Sequence, residues 1–211
     1  MDMITQLDAA EARALGSLAE KAITTREQYP LTFNALLSAC NQKSSRDPVL
    51  TLDADSLGRA VQGLIEKGLV QRQQAPGERV PKFRHDIGRL LGSDDPRVIG
   101  AMTVLLLRGP QTSGGIKTHS ERLCSFAGTA EAEALMQRLC AAQEPMVARL
   151  PRQPGQKEAR YCHLFSGLPA QEAPAAAAAE PQPSRAGLAE LEKRVEALEV
   201  RLRELEGRSR N

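Results

Sequence analysis

The stretch Asp53 to His85, DADSLGRAVQGLIEKGLVQRQQAPGERVPKFRH, limits what this chain folds into more than any other. Leu57, Val61, Leu64 and Ile65 recur at helical spacing, so they share one face of a helix. Asp53 is placed to cap its start, and Gly68 follows the last apolar turn, where a left-handed residue stops a helix. An extended run, Leu69 to Gln73, then Pro76-Gly77, then Val80 to His85, spells two short strands about a turn.

A helix feeding directly into a basic-tipped hairpin is the last helix and wing of a winged helix-turn-helix. The unit occurs twice, the second time as MVARLPRQPGQKEARYCHLFSG around Val147. Val70 aligns with Val147 and Arg72 with Arg149 at one constant spacing. Pro76-Gly77, Phe83 and His85 align with Pro154-Gly155, Tyr161 and His163 at a spacing one residue longer. The extra residue falls in the turn, where insertions are tolerated. A repeat of this length is a duplicated domain rather than a solenoid unit.

The helices upstream complete the pattern. Asp8 and Glu11 have the spacing of a capping box and open a first helix that runs to about Ile23, with Leu15, Leu18, Ala19 and Ala22 on one face. After the polar turn TTREQYP, Pro30 or Thr32 starts a second helix with Phe33, Leu36, Leu37 and Cys40 inward. The loop NQKSSRDPV follows, carrying Lys43 and Arg46. Helix, helix, helix, hairpin is the winged-helix order. The segment EARALGSLAEKAITT with YPLTFNALLSACNQKSSRDPVLTL closely resembles the bacterial YceH family, and the resemblance covers residues 7–167. It implies two consecutive winged-helix domains and no reaction, substrate, cofactor or functional residues.

The expected organisation is therefore mainly α with small β-hairpins (α+β). A first winged-helix domain spans 7–88, a second 94–167, a Pro/Ala-rich linker 168–187 and a coiled-coil helix 188–206. Asp95-Pro96 opens the second domain as a cap followed by Pro at the first helical position. Val98 to Leu107 is apolar nearly all round, so that helix lies between the domains or in the second core. The resemblance implies a TPGEL-like start to the next helix, but this chain reads TSGGI. Thr112 is kept as a cap while Gly114 and Gly115 enter the first turn, and each Gly costs about 1 kcal/mol against Ala. That helix is expected to start late or fray. Thr129 opens the last one, with Leu135, Met136 and Leu139 inward.

In the tail, Leu188, Val195 and Leu202 take a positions and Leu191, Leu198 and Leu205 take d positions of a heptad seam. Glu192, Glu199 and Glu206 fall at e, and Arg194, Arg201 and Arg208 at g. In a parallel pair Arg194 meets Glu199 and Arg201 meets Glu206 of the partner helix; in an antiparallel pair like faces like. The tail thus predicts a weak parallel homodimer, the alternative being a lone helix docked on its own chain.

For function, the sequence excludes more than it names. Aromatic residues make up 3% and Trp is absent, so the cores are aliphatic. Cys40, Cys124, Cys140 and Cys162 form no CxxC and no metal-ligand spacing with the three histidines; they read as core residues of a reducing cytosol. There is no secretory signal and no apolar run of membrane-spanning length, so a cytoplasmic protein without a membrane partner is expected. G-x-S-x-G, a phosphate loop and H-E-x-x-H are all missing, and Cys162-His163, adjacent in a strand, point to opposite faces. No enzyme and no cofactor or metal is expected.

Double-stranded DNA is the sharper candidate partner, with protein partners as the alternative. The first wing offers Arg72, Arg79, Lys82, Arg84 and His85, and the second Arg149, Arg152, Lys157 and Arg160. Lys43, Arg46, Lys117 and Arg122 add cations on or beside the preceding helices. Arg59 and Gln62 are the side chains suited to reading base edges. Against this, the net charge is only +2, and both third helices carry more acid than base.

Overall fold

The computed structural model describes residues 5–77, 79–152 and 155–169. The seam Leu188, Leu191, Val195, Leu198, Leu202 and Leu205, with all but the first two residues of the expected linker, lies outside them. The described chain is mixed α/β, seven α-helices with two small antiparallel sheets.

The first half runs α1 (Ala9–Thr24), a short 3-10 turn, β1 (Leu31–Thr32), α2 (Phe33–Cys40), α3 (Ala54–Glu66), β2 (Val70–Gln73) and β3 (Lys82–His85). Asp8 and Glu11 do form the reciprocal cap of α1: the Glu11 amide donates to Asp8 Oδ1 at 2.7 Å and the Asp8 amide to Glu11 Oε2 at 2.9 Å. Thr32 caps α2 and Asp53 caps α3. At the far end of α3, Gly68 takes φ +69°. The Leu69 amide donates to the Leu64 carbonyl and the Gly68 amide to that of Ile65, the paired bonds that close a helix at a left-handed residue.

α4 (Ile87–Leu91) links the halves. The second half repeats the order with α5 (Pro96–Arg108), α6 (Ser113–His119), α7 (Thr129–Cys140), β4 (Val147–Arg149) and β5 (Tyr161–His163). The repetition extends to register. Val70 faces His85 and Arg72 faces Phe83; Val147 faces His163 and Arg149 faces Tyr161. The pairs are those the sequence alignment matches. Buried positions repeat as well: Leu57, Ala60, Val61 and Leu64 on α3, Ala132, Leu135, Met136 and Leu139 on α7.

Some details differ from the sequence reading. No strand is expected between the first two helices, yet Leu31 pairs with Phe83 and Thr32 with Lys82, making a three-stranded sheet of order β1-β3-β2. The counterpart of β1 in the second half is a single bridge between Gln111 and Tyr161, closed by N–H···O bonds of 2.9 and 2.8 Å. The expected late start of α6 is overturned. Thr112 accepts from the Gly115 amide at 3.0 Å, and the helix begins at Ser113 despite both glycines. One good cap offsets much of their cost.

Nine successive residues of α1, Glu11 to Ala19, are buried, because α1 packs against α2 and α3 on one side and α5 on the other. The helix α5 is apolar almost all round for the same reason, touching α1, α6 and β5. Both locations read for it from the sequence are thus occupied at once. Gly16 permits the approach of α1 to α5: a Cβ there would meet Leu107 Cδ2 at 3.0 Å and Leu106 Cβ at 3.1 Å. The first residues join this body too, since the Leu7 amide donates to the Phe165 carbonyl at 2.7 Å. The halves share one continuous core and form one compact unit.

Candidate nucleic-acid interface

Side chains directly opposed in an antiparallel pair share a face, and faces alternate along each strand. Phe83 and Val70 are buried, so theirs is the inner face. Gln71 lies opposite Arg84 and Gln73 opposite Lys82, so these four occupy the outer face. Arg84, Gln71 and Gln73 are exposed, and Lys82 is half-buried with Thr32 of β1 beside it. Arg79 is exposed in the hairpin turn. Arg72 shares the inner face but sits on the edge strand and remains exposed.

His85 ends this strip and turns inward. Its amide donates to the Tyr29 hydroxyl at 2.6 Å, and its Nδ1 accepts from the Ile87 amide at 3.2 Å. Burial, then the adjacent Arg84, lowers its pKa to about 4, so at neutral pH it is an uncharged support and no phosphate ligand. His163, at the matching position, is likewise lowered to about 4 by burial and stacks on Phe165.

The second hairpin is built differently. Its outer pair is Ala148 opposite Cys162, and Cys162 is buried, so the strands bring no cation to that face. Arg149, Arg152 and Lys157 instead line a concavity of about 350 Å³ with Ser113 and Glu133. Tyr161 donates to Glu133 Oε1 at 2.6 Å, and burial together with this carboxylate pushes the phenol up to about 12. Burial alone would raise Glu133, but bonds from Ser113, Tyr161 and Gln137 and the charge of Arg149 reverse it and hold the carboxylate below its usual range.

On α3 both candidate readers face solvent and are held only by local bonds: Arg59 Nη2 donates to Ser56 Oγ at 3.1 Å and Gln62 Nε2 to Glu66 Oε1 at 2.9 Å. On α7 the place of Arg59 is taken by Ala134, while Gln137 occupies that of Gln62. Lys43 is exposed in the loop after α2, and Arg122 is exposed after α6. The charge of Lys117 is answered one turn on by Glu121 at 3.2 Å.

Arg46 does not belong to this surface. Its side chain is 0% exposed, bonded to both Glu20 oxygens at 3.2 and 2.7 Å and to the Ala39 carbonyl at 2.9 Å. A loop arginine looks exposed in sequence, and the partner that buries this one is a carboxylate on α1. Arg13, also buried, donates to the Cys40 and Pro48 carbonyls, so two arginines pin the α2–α3 loop from below.

Sequence reasoning missed two concave places. One, about 420 Å³, has Lys67, Arg89, Glu144 and Phe165 on its walls, and Lys67 is paired there with Glu11. The other, smaller and more polar, lies where α1 and the α2–α3 loop meet the end of α5. Neither carries a periodic signal, because each collects residues far apart in the chain. Among the described residues no cluster of three or more His, Cys, Asp or Glu is arranged to hold a metal ion. Nor is any helix among them long and apolar enough to cross a membrane.

Fold and surface thus define a mixed α/β protein of two repeated three-helix-and-hairpin halves, with cations gathered on its hairpins and loops. The chain belongs to the family described as "Protein of unknown function, DUF480", whose model matches residues 7–156. It is 46% identical over 170 residues to a UPF0502 protein of Geobacter metallireducens, covering 81% of this chain and 77% of that one. Similar proteins occur in Chromobacterium violaceum, 46% identical over 78% of this chain and 74% of the relative, and in Azoarcus, 42% identical over 97% and 91%.

Proposed function

We propose that this is a non-enzymatic, cytoplasmic DNA-binding protein made of two tandem winged-helix modules. The observation that carries the reading is the outer face of the first hairpin. Arg84 and Lys82 alternate there with Gln71 and Gln73, Arg79 stands in the turn, and no carboxylate occupies a strand position on that face. Such a strip suits phosphate oxygens and the walls of a groove. In this reading α3 lies in the major groove and offers Arg59 and Gln62 to base edges, whereas α7, with Ala134 in the matching place, contributes backbone contacts. What supports the non-enzymatic part of the reading is the origin of the displaced titrating groups. Tyr29, His85, Tyr161 and His163 owe their shifts first to burial, in the structure that supports the hairpins.

Fluorescence polarisation with a mixed-sequence duplex at two salt concentrations tests the proposal. Binding should weaken steeply with salt. Replacing Arg79, Lys82 and Arg84 together by alanine should weaken it on every sequence and flatten the log–log salt slope by roughly 0.9 for each phosphate no longer neutralised. Replacing Arg59 and Gln62 should change sequence preference instead. Wild-type affinity in the triple variant would refute the assignment.

A second reading, a protein-docking module, is favoured by one feature. Asp53 and Asp55 stand exposed at the start of α3, where they would face phosphate if that end entered a groove. Their structural reason is capping and the helix dipole, which stabilise acids there.

A further inference from the structure

The smaller of the two overlooked cavities has a composition that the DNA reading does not use. It is a crevice of about 190 Å³ between the end of α1, the α2–α3 loop, the end of α5 and the end of α6 with the residues just after it. Its only carboxylate is Glu20. Both Glu20 oxygens are already taken by the buried Arg46 guanidinium, at 3.2 and 2.7 Å, with Lys21 Nζ further off at 3.7 Å. Lys21 from α1 shares Glu20 with Arg46, and two further cations line the crevice with no carboxylate of its lining paired to them, Arg108 from the end of α5 and Arg122 from the loop after α6. Ser44 and Ser45 line its other side. The imidazole of His119 on the same wall has its pKa lowered by burial and then by Arg108, in keeping with a positive local potential.

We infer that this crevice binds a compact, multiply charged phosphate group and that the bound group bridges the two halves of the molecule. Two arginines and a lysine converging from separate elements suit the several oxygens of a phosphoryl group, which accept charge-assisted bonds from more than one side. The volume is below that of drug-sized ligand pockets, about 300–1,000 Å³. The crevice therefore has room for a phosphate or pyrophosphate unit and leaves any attached group outside it. Two sources carry that chemistry, a free phosphorylated small molecule and a phosphate of a polynucleotide backbone.

The test uses the full chain with pyrophosphate and, separately, a short mixed-sequence duplex, followed by amide and His119 imidazole NMR signals. Pyrophosphate should give saturable shifts at Lys21, Ser44, Ser45 and His119, raise the apparent pKa of His119, and raise the melting temperature by binding only the folded state. Replacing Arg108 and Arg122 together by glutamine should weaken binding at least about tenfold. Arg122→Glu, at an exposed loop position, gives a second variant should the first fold poorly. If the duplex moves the same signals and competes with pyrophosphate, the ligand is backbone phosphate. If it moves only the first hairpin, the ligand is a free phosphorylated molecule. If the duplex does not bind at all, the DNA reading fails while the crevice assignment stands. No saturable shift up to about 10 mM pyrophosphate, or equal affinity in the variants, would overturn the inference.

Discussion

Gly16 and Gly58 both lie inside helices, and alanine should stabilise at Gly58 but not at Gly16. In a helix interior the exchange gains about 1 kcal/mol from reduced backbone freedom in the unfolded chain. At Gly58 nothing lies within 4 Å of the new Cβ, so the full gain should appear. At Gly16 the new methyl would sit 3.0 Å from Leu107 Cδ2 and 3.1 Å from both Leu107 Cγ and Leu106 Cβ. Both leucines are almost fully buried, and a Cβ is fixed to its backbone, so neither swings aside. Overpacking of this kind costs about 1–3 kcal/mol, which cancels the gain or outweighs it by up to about 2 kcal/mol. Gly16→Val adds two methyl groups at the same contact and should cost more. Urea titration of the full chain reads the difference directly. For a unit of this size each kcal/mol is also about 2–4 °C in melting temperature. If Gly16→Ala stabilises as much as Gly58→Ala, then α1 and α5 are not closely packed and the shared core is wrong.

Leu64, 0% exposed, and Leu139, 7% exposed, occupy equivalent buried positions; alanine at either should lower the unfolding free energy by about 2–5 kcal/mol, and an unchanged urea midpoint would remove that residue from the core. His85 and His163 have folded pKa values near 4, below the unfolded value of about 6.5, so the unfolded chain binds their protons first. Their contribution is complete above about pH 6.5 and is lost as pH falls toward 4; His85→Asn with His163→Asn should flatten the urea midpoint between pH 7 and pH 4.5, and an equally steep decline would assign the acid sensitivity elsewhere. In sedimentation, the full chain should show a concentration-dependent dimer that disappears on truncation after Gly167, and a full chain that stays monomeric at high micromolar concentration would contradict the parallel seam.

The legible parts of this fold are those whose signal is local. Asp8, Asp53, Asp95 and Thr112 cap the helices that their sequence positions indicate, because a capping oxygen and the amide it serves lie two or three residues apart. The hairpin registers are readable because the repeat itself fixes which residues correspond. What escapes is short or distant. The two residues of β1 carry no periodicity, and the five of α4 are too few to show a face. The candidate surface is harder still. Arg46 and Lys43 look alike in sequence, and only Glu20 on α1 decides that one is interior and the other exposed. The crevice lined by Arg108 and Arg122 draws on α1, a loop and the ends of two later helices, and no window of sequence contains it.

The packing of α1 on α5 bears on what either half could do alone. These are equivalent helices, each the first of its half and each capped by an aspartate. A single half alone would leave the apolar stripe of its first helix in water, and the first helix of the other half is what covers it. The two halves are therefore held to each other through their first helices, with α4 as the connecting segment. Away from this joint the halves differ at their surfaces: the first hairpin carries Lys82 and Arg84 on the outer face of its strands, where the second carries Ala148 and Cys162.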